Sequence, residues 1–141
     1  MKGYDDAMFE LHTRLKADCI HIGNLPLCQL LLMNDANYPW FILVPQRDDI
    51  REIFELSEDD QKQLLWESSH LSKVITAHFK ADKINVAALG NMVPQLHVHH
   101  IVRFTDDPAW PAPVWGHADA RPYTKKQLAR LVDSFRDVCL I

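Results

Sequence analysis

From Gln95 to Arg103 the chain reads Gln-Leu-His-Val-His-His-Ile-Val-Arg, a polar and apolar alternation that suits a two-faced strand and little else. The spacing predicts a strand over Leu96 to Phe104. On it, Gln95, His97 and His99 point together, while Leu96, Val98 and His100 point the other way. Residues on one face repeat at roughly 6.6 Å, so a single oxygen-rich ligand group can touch all three. Three of the eight histidines fall in this one stretch. A strand with one apolar face needs a sheet around it, and the rest of the chain supplies candidates.

Cys19 to Gly23, Leu27 to Met33 and Phe41 to Val44 are β-like stretches, separated by Gly23-Asn24 with Pro26 and by Asn34-Asp35 through Pro39. They read as an antiparallel meander. Ile84 to Ala88 is a further strand, with Gly90 at the bend before the alternating segment. Helical spacing of Met8, Phe9, Leu11 and Leu15 predicts a short helix from Asp5 to about Lys16. A longer one is expected from Ser57 to Lys80, opened by Ser57 and Asp60 in an approximate capping box. Leu64, Leu71, Val74, Ile75 and Phe79 form its apolar stripe, leaving Glu58, Lys62, Glu67 and Lys73 to face water. Thr124 with Gln127 caps a terminal helix whose apolar face is Leu128, Leu131, Val132 and Phe135. Between them, the proline- and tryptophan-rich stretch Asp106 to Gly116 reads as a rigid loop over a surface. At 141 residues and 48% hydrophobic, one core suffices. The expectation is a single α+β domain over residues 1–141, with an antiparallel sheet of about five strands and helices packed chiefly on one face.

A formal net charge of −4 removes the broad positive field that draws a protein to nucleic acid or an anionic membrane. Phosphate recognition, where present, must be local. The three cysteines, Cys19, Cys28 and Cys139, show no CxxC spacing and fit a reduced compartment. Acidic residues interrupt the N-terminal stretch, and no apolar run reaches membrane-spanning length. A cytoplasmic protein is expected, without nucleic-acid or membrane partners.

The chemistry lies in the imidazoles. A neutral imidazole carries one ring nitrogen with a free lone pair, largely available at neutral pH given a reference pKa of about 6.5. Such a nitrogen attacks phosphorus and splits a displacement into two easier steps through a covalent phosphorus–nitrogen intermediate. Flanking donors must hold the phosphate oxygens as charge redistributes on them. His97 suits the nucleophile, with His99 and the amide of Gln95 as those donors. Gln95 donates from its NH2 group but does not titrate, so it cannot protonate a leaving group as a histidinium does.

Gln95 to Arg103 resembles the motif of the histidine triad (HIT) family, three histidines alternating with apolar residues, with Gln95 in place of the first. The resemblance implies that His97 is the residue that becomes nucleotidylated and that His99 contacts phosphate. Gly90 and Asn91 match the family's preceding glycine and amide residue, and Asn85 matches an upstream asparagine that contacts phosphate. More loosely, Leu30 to Asp35 matches a segment set against the nucleoside, implicating Asn34 and Asp35, and Phe41 to Pro45 matches the strand after it. The likeness runs from about Leu25 to Arg103, and Trp110 to Gly116 is similar to a bacterial branch that carries the same glutamine.

The resemblance implies a HIT-like fold, a homodimer, and hydrolysis at the α-phosphate of a nucleoside phosphoramidate or dinucleoside polyphosphate, on a purine nucleotide or conjugate. A nucleotidyl transferase and a weakly catalytic nucleotide-binding regulatory module are the alternatives. No cofactor is required, and a bound divalent metal is compatible with a polyphosphate substrate. The plainer readings stand beside these. Two same-face histidines also suit zinc, although no cysteine or carboxylate in the strand completes a ligand set. Asn34 and Asp35 are ordinary turn formers. Trp110 and Trp115 cover apolar surface under their loop, or close the nucleotide pocket. His100 stands where the family is apolar and reads as a core-edge or subunit-contact histidine, not a catalytic one.

Overall fold

The computed structural model describes residues 9–140. Its sheet has five antiparallel strands: β1 (Cys19–Asn24), β2 (Cys28–Met33), β3 (Trp40–Pro45), β4 (Lys83–Ala87) and β5 (Val98–Arg103). The spatial order is β1-β2-β3-β5-β4, so the first three strands form the expected meander and β5 lies between β3 and the edge strand β4. Alternation sorts the side chains. Leu30, Leu32, Phe41, Leu43, Val98 and Val102 face one side, and Leu31, Trp40, Ile42, Val44 and Ile101 face the other.

The first face packs under α2 (Glu58–Phe79) and α3 (Lys125–Phe135), through Leu64, Leu71, Ile75 and Phe135. Both helices start where the sequence places their caps. Ser57 Oγ accepts from the Asp60 amide at 3.1 Å, and Thr124 and Gln127 bond each other's backbone reciprocally at 2.9 and 3.1 Å. Lys80 ends α2 in the left-handed region (φ 54°), its amide donating to the Thr76 carbonyl. One expectation fails on this helix. Glu67 does not face water but is fully buried, its carboxylate accepting from the amides of Leu27 and Cys28 at 2.8 and 3.0 Å. Those amides lie at the entry to β2, and the carboxylate supplies their hydrogen-bond partners. Burial, and then the same carboxylate, push the Cys28 thiol well above its ordinary pKa.

Among the described residues, the second face has no long helix on it. Phe9, Leu15, Val93, Ala109 and Val114 cover it, drawn from the N-terminal segment and two loops. The helix expected from Asp5 is shorter: α1 spans Thr13–Asp18, with His12 capping it through a bond from the Arg14 amide to Nδ1 at 3.0 Å. Phe9 to His12 are not helical, and the part of that expectation over Asp5 to Met8 lies outside the described residues. The alternating segment is also shortened, because β5 begins at Val98 and not at Leu96. The Leu96 amide leaves the sheet and donates to the Ile50 carbonyl at 2.9 Å.

Candidate active site

His97 therefore sits just before β5, in the loop that runs from Gly90. Its Nδ1 lies 2.7 Å from the Gln95 carbonyl, which can only accept, so Nδ1 carries the proton and Nε2 keeps its lone pair. The ring is 5% exposed. Close packing against the loop depends on Gly90. A Cβ there would lie 2.8 Å from the Val93 carbonyl oxygen and 3.4 Å from His97 Cε1, so a side chain at 90 would force the backbone of the loop that packs on His97 to shift.

His99, the second residue of β5, points to the same face, and the two rings lie edge to face at 4.9 Å. Trp40 Nε1 donates to His99 Nδ1 at 2.9 Å. An indole can only donate, so His99 carries its proton on Nε2, where the one hydrogen-bond contact among the described residues is a long one to the Leu89 carbonyl at 3.4 Å. Burial first, and then the charge of His97, push the His99 pKa down to about 4, so the ring is neutral at neutral pH. Trp115 packs edge-on against both His99 and Trp40, at 5.1 and 5.6 Å. The arrangement offers one free lone pair on His97 and one lightly held N–H on His99, side by side.

A cleft of about 300 Å³ opens beside His97, lined by Gly90, Asn91 and Gln95 and, across from them, by Arg51 and Glu52. Gln95 is not on a strand face with the histidines. Its Oε1 accepts from the His12 amide at 2.8 Å and its Nε2 donates to the Glu10 carbonyl at 2.9 Å, so the carboxamide clasps the N-terminal segment. Arg51 was not visible as a site residue in the sequence, because it lies in the polar run Gln46 to Glu55, where no pattern marks one charge above another. Nor was Trp40, whose bond to His99 depends on the register that sets Trp40 beside Ile101 and Ile42 beside His99.

The other expected contacts lie apart from the cleft. Asn85 on β4 pairs with Ile101, and its Oδ1 accepts from Arg103 Nη1 at 2.8 Å. Arg103 is 1% exposed and also holds Asp107 with two bonds, at 2.8 and 3.0 Å, and the Ala112 carbonyl at 2.8 Å. Tyr38 and Trp110 sit against its guanidinium. Burial raises the Asp107 carboxyl, but Arg103 and three backbone amides outweigh it and hold the pKa at about 2. Asn34 and Asp35 lie in the β2–β3 turn, near the Trp40 end of β3, whereas His97 precedes the opposite end of that pairing. Their oxygens accept from the amides of Tyr123, Asn37 and Arg121. His100 faces α2, fully buried, donating from Nδ1 to the Val98 carbonyl at 3.0 Å and meeting Ser68 Oγ at 2.7 Å. Among the described residues, no group of three or more His, Cys, Asp or Glu side chains is arranged to hold a metal ion, and no helix is long and apolar enough to cross a membrane.

A family model described as HIT domain matches residues 14–106. Three solved structures share the fold along nearly the whole chain. A histidine triad protein from Marinobacter aquaeolei VT8 is 53% identical, with a TM-score of 0.92 over 94% of this chain and 97% of that one. A histidine triad protein from Bradyrhizobium japonicum is 47% identical, with a TM-score of 0.90 over 93% and 98%. A histidine triad (HIT) protein from Sinorhizobium meliloti 1021 is 45% identical, with a TM-score of 0.91 over 94% and 98%. No curated protein matches the chain.

Proposed function

Because the chain belongs to the histidine triad family, whose members are generally nucleotide-binding hydrolases or transferases, we propose that it cleaves a nucleotide conjugate at the α-phosphate, with His97 as nucleophile. The observation that carries this reading is the His97 tautomer, fixed by the Gln95 carbonyl so that Nε2 presents its lone pair beside the cleft. In the first step Nε2 bonds to the α-phosphorus, and the bond from phosphorus to the leaving group breaks with its electron pair going to that group. Water then attacks the nucleotidyl-histidine, the P–N bond breaks, and a mononucleotide leaves. The His99 Nε2–H and the amide of Asn91 are the donors assigned to the phosphate oxygens. The Gln95 carboxamide retains one N–H beyond its bond to Glu10, which is the one available for the same task. A ribose contact from Asn34 or Asp35 falls to Asn34 Nδ2 or Asp35 Oδ2, because the Oδ1 atoms of both already accept from the 121–123 segment.

The test is mononucleotide release from adenosine and guanosine phosphoramidates and dinucleoside polyphosphates. His97→Ala is expected to lower turnover by about a thousandfold or more. Equal release by variant and wild type would end the nucleophile assignment; binding without turnover by wild type would leave a nucleotide-binding module.

The functional unit in this reading is a cytoplasmic homodimer acting on a purine nucleotide, with no required cofactor and with a bound divalent metal compatible with a polyphosphate substrate. Edge strand β4 supports the dimer. Among the described residues its outer side has no strand partner, and Val86 is 52% exposed in a hollow it shares with Ile53 and Leu65, at 41% and 69%. An unpaired edge with an apolar flank accepts a second copy. Val86→Lys is expected to convert the sedimenting species to monomer, whereas a wild-type chain that sediments as monomer at micromolar concentration would count against the homodimer.

A further inference from the structure

We propose that the leaving group is a phosphate, not an amine, and that Arg51 is the residue that selects it. This rests on the α-phosphate reading above. The bond from the Leu96 amide to the Ile50 carbonyl seats the 49–52 turn against the loop that carries His97. Glu55 Oε1 then pins the turn, accepting from the amides of Arg51 and Glu52 at 2.8 and 2.9 Å. Arg51 and His97 line the same cleft. Among the described residues the Arg51 guanidinium makes no hydrogen bond or ion pair, and its charge acts on the Glu55 carboxylate through space alone, so its five donors are open to a ligand.

Gln95 points the same way. An amine leaves a phosphorus centre only with a proton supplied to its nitrogen, and Gln95, beside His97, has no proton to give. Its carboxamide also holds Glu10 through one N–H and His12 through its oxygen. A phosphate needs no such proton. As the His97 Nε2 lone pair forms the N–P bond, the bond from the α-phosphorus to the bridging oxygen breaks, and the electron pair stays on that oxygen. The new negative charge falls on the departing phosphate, where a guanidinium stabilises it by bidentate, charge-assisted bonds. Glu52 lines the cleft as well and sets a negative charge against the same group. The two neighbours therefore make opposite predictions.

The experiment compares diadenosine triphosphate with adenosine 5′-phosphoramidate, or their guanosine counterparts, on protein with His97 intact. Arg51→Gln is expected to lower kcat/KM for the triphosphate relative to the phosphoramidate by about tenfold or more, and Glu52→Gln to raise that ratio. Calorimetry supplies a readout independent of turnover: Arg51→Gln should weaken binding of nucleoside diphosphate about tenfold relative to monophosphate. An unchanged ratio, an equal loss on both substrates, or a wild-type preference for the phosphoramidate would each overturn the assignment. Failure of the nucleophile reading appears elsewhere, as turnover surviving in His97→Ala.

Discussion

His99 and His100 are consecutive and face opposite sides of the sheet, yet both are held neutral. Burial leads in each case and brings both to about 4, against an ordinary value near 6.5. The sign follows from linkage. The unfolded chain takes up protons as pH falls below about 6.5 while the folded chain refuses them until about 4, so stability is complete above 6.5 and declines across that window. The expected slope is on the order of 1 kcal/mol per pH unit for each ring. Urea midpoints at pH 8, 6.5 and 5 read it directly, and a midpoint unchanged down to pH 5 would contradict the neutral state of both rings. The sequence made His97 and His99 legible, since their types and spacing are local facts. It did not reveal that Gln95 and His97 lie off the strand, because the alternation continues past the point where Leu96 turns to Ile50.

Arg103 and Asp107 tie β5 to the loop that carries Trp110 and Trp115, with side chains 2% and 3% exposed. Asp107→Asn would leave a buried guanidinium without its charge partner, and the expected loss is about 3–5 kcal/mol in chemical denaturation. Asp18→Asn breaks the Arg14 pair, whose side chains are 57% and 48% exposed, and should cost less than about 1 kcal/mol. Similar losses in the two variants would show that the buried pair is not what secures the loop. Helix caps were readable at Ser57 and Thr124 because a cap is written within four residues. Glu67 was misread for the converse reason: it lies on the stripe between Leu64 and Leu71, but its partners, Leu27 and Cys28, are about 40 residues away, a distance no periodicity can span.

At the scale of the molecule, the sheet divides the labour. One face is closed by α2 and α3 over the larger apolar cluster, while the other is closed by thinner cover over a smaller one and holds His99, Arg103 and the approach to His97. Strand number and the meander followed from the sequence. Strand order around β5 and the cover of the second face did not, because both are set by contacts distant along the chain. That thinner cover places Trp40 and Trp115 within 5.7 Å of the His99 ring, which gives the protein a built-in optical probe. Protonation of His99, or a ligand drawing its N–H away, alters the surroundings of two indoles, so tryptophan emission reports occupancy of the site without any added label.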